Sequence, residues 1–272
     1  MGCVTTLDLP NDERGSTLLA KILSTLKSSD LRIGFIELLI LALGLFMGFQ
    51  LDRWNEERLR QQDSQVYISQ LAKDLQADLE GSKTRIEYLL QVQRHGQIAL
   101  ALWEGVATDN PRDMVVSLYQ ASQIYPFFAN SATYEDLKST GNIDLVGDAS
   151  MRSELFRYYN SHKVNLAVVG REAPYRMAVR GVIPFQVQEM IRGPCAYLVP
   201  GVVTTERLTD SCNIALGEAE AKRILLAVRQ HPSLQQQLHQ KLGQDMILME
   251  MYESQIIGAQ ALMTALNPLD NR

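Results

Sequence analysis

Apolar residues run almost without interruption from Ile33 to Leu51, I-G-F-I-E-L-L-I-L-A-L-G-L-F-M-G-F-Q-L, with a single acid, Glu37, among them. A helix rising about 1.5 Å per residue needs roughly 20 apolar residues to cross the hydrocarbon core of a bilayer. The pattern therefore predicts a transmembrane helix over 33–51. A cleaved signal peptide fits less well, because 32 residues precede the run and Gly48-Phe49-Gln50-Leu51-Asp52 stands where a small-residue cleavage site would be. A buried core helix is the other alternative, and the charges flanking both ends count against it.

Upstream, Leu18, Leu19, Ile22, Leu23 and Leu26 recur at helical spacing between Ser16 and Lys27, with Lys21 and Lys27 at polar positions. This predicts an amphipathic helix lying in the membrane interface, within a cytoplasmic N-terminus of residues 1–32. Asp30 is the expected cap of the spanning helix. Met1-Gly2-Cys3-Val4-Thr5-Thr6 also fits a myristoylation pattern, but a spanning helix is the stronger anchor.

Downstream, the exit Asp52-Arg53-Trp54-Asn55-Glu56-Glu57-Arg58 puts Arg53 and Trp54 at headgroup depth, as interface anchors. No Pro occurs between Leu51 and Asn110, and Tyr67, Leu71, Leu75 and Leu79 repeat every fourth residue. Ile86, Leu89, Leu90 and Ile98 continue an apolar face, so the helix is expected to reach about Trp103 and to pack in a bundle.

Thr108-Asp109-Asn110-Pro111 ends that element and starts a short helix over Arg112 to Ile124. In Ser131 to Asp148 the pattern predicts a helical turn begun by Ser131 or Thr133 and stopped by a left-handed Gly141, then a helix capped by Asp148 carrying Met151, Leu155, Phe156 and Tyr159. Further helices are expected over Val179 to Ile191, over Gly217 to Arg229 with Ala219, Ile224, Leu225 and Val228 on one face, and from Ser233 to about Leu266. The fold class that follows is all-α: one N-terminal transmembrane helix continuing into an extracytoplasmic helical bundle over 52–272.

The membrane exit at Asp52 to Arg58, the Tyr67 to Leu79 stripe and Thr133-Tyr134-Glu135-Asp136-Leu137-Lys138-Ser139-Thr140-Gly141-Asn142 together resemble a group of uncharacterised bacterial single-pass inner-membrane proteins with a periplasmic helical domain. The similarity covers roughly Gly34 to Tyr159. It implies a bacterial inner-membrane anchor and a periplasmic bundle, and no established activity.

Basic residues are nearly balanced across the apolar run, with Arg14, Lys21, Lys27 and Arg32 before it and Arg53, Arg58 and Arg60 after it, so charge does not set the orientation. Cys195 and Cys212 break the tie. They bracket sixteen residues rich in Pro, Gly and Thr with no helical period. A disulfide closing that loop would restrain the unfolded chain by ~3 kcal/mol and would place the large domain in an oxidising, extracytoplasmic compartment. Two reduced thiols are the alternative.

The net charge of −5 and the absence of a basic stripe argue against nucleic acid as a partner. His95, His162, His231 and His239 are scattered without metal-ligand spacing, and no nucleophile elbow, P-loop or dinucleotide fingerprint occurs. No catalytic, metal or cofactor site is expected, and Glu135 and Asp136 read as a charged helix start. The sharper signal lies in the apolar run. Gly44 and Gly48 form a G-x-x-x-G pair that lets another helix approach closely, and Glu37, seven residues before Gly44, shares nearly the same face. The expected partners are membrane lipid and either further copies of the chain or other membrane-complex subunits. The sequence thus reads as a non-enzymatic structural or accessory subunit, with a small-molecule sensor or transport-related module using Glu37 as the alternative.

Overall fold

The computed structural model describes residues 28–105, 110–126, 128–169, 173–201 and 204–270. The expected interfacial helix, Cys3 and Asp109 lie outside these residues. Helices α1 (Ser28–Glu104), α2 (Pro111–Gln120), α3 (Ala132–Ser139), α4 (Ala149–Val169), α5 (Pro174–Val182), α6 (Phe185–Arg192), α7 (Glu218–Gln230) and α8 (Leu234–Asp270) account for most of them, so the fold is all-α. Between α6 and α7 lies an antiparallel hairpin of β1 (Ala196–Val199) and β2 (Thr205–Leu208). The chain divides into two compact units between Gln61 and Gln62.

In the first unit, every residue from Ile33 to Gln61 is exposed. Asp30 already lies within the helix, so it does not cap it. Among the described residues this is the one helix long and apolar enough to cross a membrane, by length and composition.

The second unit has two main cores. One joins Ile68, Leu71, Leu75 and Leu79 of α1 to Tyr134 and Leu137 of α3, Leu155 and Tyr159 of α4, and Ala259, Leu262 and Leu266 of α8. The other is built from Met114 to Leu118 of α2, Tyr175 and Val179 of α5, Val187 and Ile191 of α6, Ile224 and Val228 of α7, and Leu234 and Leu238 of α8. Burying each such Leu or Ile contributes roughly 1.5–3 kcal/mol, which is what holds these short helices in place. Gly96 of α1 lies against Leu242 of α8, and an added Cβ would lie 2.4 Å from Leu242 Cδ2.

Several boundaries differ from the sequence pattern. Asn110 caps α2 by accepting from the Arg112 N–H at 3.0 Å, but the helix ends at Gln120, short of Ile124. Gly141 takes the left-handed φ of +76°, and Asp148 caps α4 through the Met151 N–H. A 3₁₀ turn, Ile143–Val146, fills the gap between them. The single helix expected over 179–191 is two, because Pro184 cannot continue α5 and instead starts α6. On α7, Ala221 is buried and Ala219 exposed. Helix α8 runs past Leu266 to Asp270.

Candidate functional site

The sequence-derived site residues fall in separate places. Glu37, Gly44, Gly48, Arg53 and Trp54 all lie on the exposed part of α1. A groove lined by Ile40, Leu41, Gly44, Leu45, Gly48 and Phe49 follows the two glycines, and a Cβ at either would meet nothing within 4 Å. Phe46, Met47 and Phe49 are each at least 60% exposed, so the apolar face is uncovered all round.

Cys195 and Cys212 are joined, with Cα atoms 5.3 Å apart, and the segment between them is the β1–β2 hairpin, which the sequence pattern had presented as a loop. Its short strands carry no clear alternation; they form because α1 supplies a surface that holds them. Gln91 donates through Nε2 to the Leu208 carbonyl at 2.9 Å and accepts from the Leu208 N–H at 3.0 Å, so one side-chain amide stands in for a neighbouring strand. Glu87 pairs with Arg207, and Arg94 with Asp210 at 3.3 Å. His95 lies 3.1 Å from the Thr209 carbonyl through Nε2 and 3.2 Å from Ser117 Oγ through Nδ1, so it links α1, α2 and the base of the hairpin. Burial holds the His95 imidazole below its ordinary pKa, favouring the neutral ring.

A second polar set on α1 fastens the 130–145 segment. Asp78 is fully buried and accepts from the Asn130 N–H at 2.7 Å, Asn130 Nδ2 at 3.0 Å and the Tyr158 hydroxyl at 3.1 Å. Burial pushes its carboxyl up to about 6 despite these donors. Asp74 accepts from the Thr133 N–H, Ser64 donates to the Leu145 carbonyl, and the Tyr67 hydroxyl donates to Asp136 at 2.9 Å. Glu135 pairs with Lys138 and Lys163, so these two acids serve helix ends and ion pairs.

Arginines secure the chain after α2. Arg180 donates to Ser122 Oγ and Gln123 Oε1, Arg176 to the Ser122 carbonyl, and Arg85 lies over the Tyr125 ring at 3.8 Å. On α8, Lys241 and Asp245 form a fully buried ion pair with contacts of 2.6 and 2.7 Å. Burial holds the Lys241 ammonium below its ordinary range, opposed by the charge of its partner.

Sequence reasoning missed Asp78, Gln91, His95 and Lys241 because polar residues on a long helix normally face solvent. A signal was present. Continuing from Leu71 and Leu75 in alternating steps of three and four lands on Asp78, Ser82, Arg85, Leu89, Val92, Gly96 and Ala99, all buried. The same line passes by Leu90 and Ile98, which are 45% and 47% exposed, contrary to their expected place on the inner face. Phe156, expected on the inner face of α4, is likewise 58% exposed.

Among the described residues no group of three or more His, Cys, Asp or Glu side chains could hold a metal ion. No protein-family model, curated protein or solved structure matches the chain.

Proposed function

We propose that this chain is a non-enzymatic, single-pass membrane protein that acts as a structural or accessory subunit. Residues 33–51 cross the bilayer, 1–32 lie on the cytoplasmic side, and 52–272 form an extracytoplasmic domain, periplasmic in a bacterial inner membrane. The membrane helix associates through the Gly44 and Gly48 face with other copies or with other subunits of a membrane complex.

One observation carries this reading. A chain that buries Leu71, Leu75, Leu118, Leu155 and Leu238 completely nevertheless leaves Phe35, Leu38, Leu41, Leu45 and Phe46 each at least 60% exposed in one helix. A continuous apolar surface of that kind is stable in lipid and not in water. The Cys195–Cys212 bridge supports the extracytoplasmic side, since structural disulfides persist in oxidising compartments. The long runs of helix and the polar contacts spent on fastening loops support a scaffold.

Purification of the full chain in mild detergent, followed by mass measurement, tests the reading. The expected result is an oligomer or co-purifying membrane subunits, weakened by Gly44→Ile and Gly48→Ile with membrane insertion retained. A strict monomer with no companion in native membranes overturns it.

A further inference from the structure

The hairpin leaves one strand edge open. The Cys195 carbonyl accepts from the Thr209 N–H at 3.1 Å, and Tyr197 stands opposite Arg207 and Val199 opposite Thr205. In an antiparallel ladder the backbone groups of successive residues point alternately toward and away from the partner strand. Residues 195, 197 and 199 thus face β2, while the N–H and C=O of Ala196 and Leu198 point outward. Leu208 shows the same alternation on β2, for its outward N–H and C=O are the groups that Gln91 takes up. Among the described residues nothing bonds the outward groups of Ala196 and Leu198.

Natural edges are blunted by charge, proline or a bulge. Here Ala196-Tyr197-Leu198-Val199 has no charged side chain, no proline and an unbroken register, and Tyr197 and Leu198 are 52% and 70% exposed. The disulfide and the Gln91 contacts hold this edge in strand form before any partner arrives.

We infer that β1 pairs edge to edge with β1 of a second copy, about a twofold axis through Tyr197, to make a four-stranded antiparallel sheet across the dimer. A second copy of β1 matches the outward groups in register. A twofold through Tyr197 sets Ala196 against the copy's Leu198 and Leu198 against the copy's Ala196, satisfying both outward residues on each strand. Tyr197 then meets its own copy in the close, non-hydrogen-bonded position, where aromatic pairs are favourable and no like charges oppose. Such an interface is isologous, as closed dimers require. A four-residue edge is short for pairing free in solution, so the sheet rests on the proposed membrane anchoring, which confines copies to a plane and raises their effective concentration.

The test uses the full chain in native membranes, with p-benzoylphenylalanine replacing Tyr197 and with isotopically heavy and light copies mixed. Ultraviolet light should join heavy to light chains through the peptides that contain residues 196–199. Leu198→Lys should lower the yield at least tenfold. So should Leu198→Pro, which removes only an outward N–H and no β1–β2 bond. Cross-links only to other proteins or to other parts of the chain overturn the sheet, as does a yield indifferent to both Leu198 variants in folded protein. A second probe replacing Leu45 reads the membrane helix separately. Inter-copy cross-linking there without any at 197 overturns the sheet and leaves helix association standing; cross-linking at 197 alone upholds the sheet and counts against the helix contact.

Discussion

The Tyr158 hydroxyl donates to the buried Asp78 carboxylate at 3.1 Å, and the same ring meets the His162 imidazole edge-on with centroids 4.7 Å apart. Tyr158 therefore joins two titrating groups whose pH responses oppose each other. Burial raises Asp78 to about 6 and lowers His162 to about 4.

Between pH 6 and 4, folded Asp78 binds a proton that the unfolded side chain still lacks, so falling pH favours the folded state. His162 runs the other way, because the unfolded imidazole protonates near 6.5 and the folded one only near 4. Each linkage spans roughly 3 kcal/mol, and the two nearly cancel over this interval. Relative to the unsubstituted chain, His162→Gln should therefore gain stability as pH falls from 6 to 4, and Asp78→Asn should lose it. Thermal melts at half-unit pH steps check both signs; parallel curves for all three proteins would remove the linkage.

The Lys241–Asp245 pair on α8 invites a paired test. Asp245→Asn strands a buried ammonium and should cost roughly 3–5 kcal/mol, whereas replacing both residues with Met and Leu should be neutral or stabilising. Urea denaturation of the three proteins separates the cost of breaking the pair from its net worth.

At Gly96 a methyl group meets Leu242, so Gly96→Ala should destabilise by roughly 1–2 kcal/mol. In a Leu242→Ala background the obstruction is gone, and the same change should stabilise by about 1 kcal/mol through helix propensity. The reversal of sign in denaturation midpoints is the expected outcome.

Gln91→Leu leaves the Leu208 N–H without its acceptor and should cost roughly 1–3 kcal/mol. Amide exchange should quicken at Leu208 while protection at Leu71 and Leu75 persists. Reduction of Cys195–Cys212 should lower stability by about 3 kcal/mol, read by melts with and without reductant.

Much of the fold was legible where a helical period met a strong punctuation mark. The Tyr67 to Leu79 stripe, the Asn110-Pro111 restart, the Gly141 stop and the Asp148 cap each have a local physical cause, and each shows in the structure. The β1–β2 hairpin was not legible, because its order comes from Gln91 and Arg94, more than a hundred residues earlier. Pro184 lies inside the single helix expected over Val179 to Ile191, and its missing N–H divides that stretch into α5 and α6. The buried polar residues stayed hidden for a related reason: Asp78 and Arg85 look like solvated helix positions until the Leu71, Leu75 spacing is carried forward.

Leu71 and Leu75 share a core with Leu262 and Leu266, so the first and last helices of the bundle complete one another. A ribosome making about 5–20 residues per second needs roughly 10–40 s to travel from one set to the other. Within that interval α3 and α4 bring Tyr134, Leu137, Leu155 and Tyr159 to the inner line of α1, but its α8 partners are still missing. The second core is caught in the same delay, since Leu234 and Leu238 also arrive on α8. Whatever shields nascent apolar surface in the cell must therefore attend this chain until α8 has emerged.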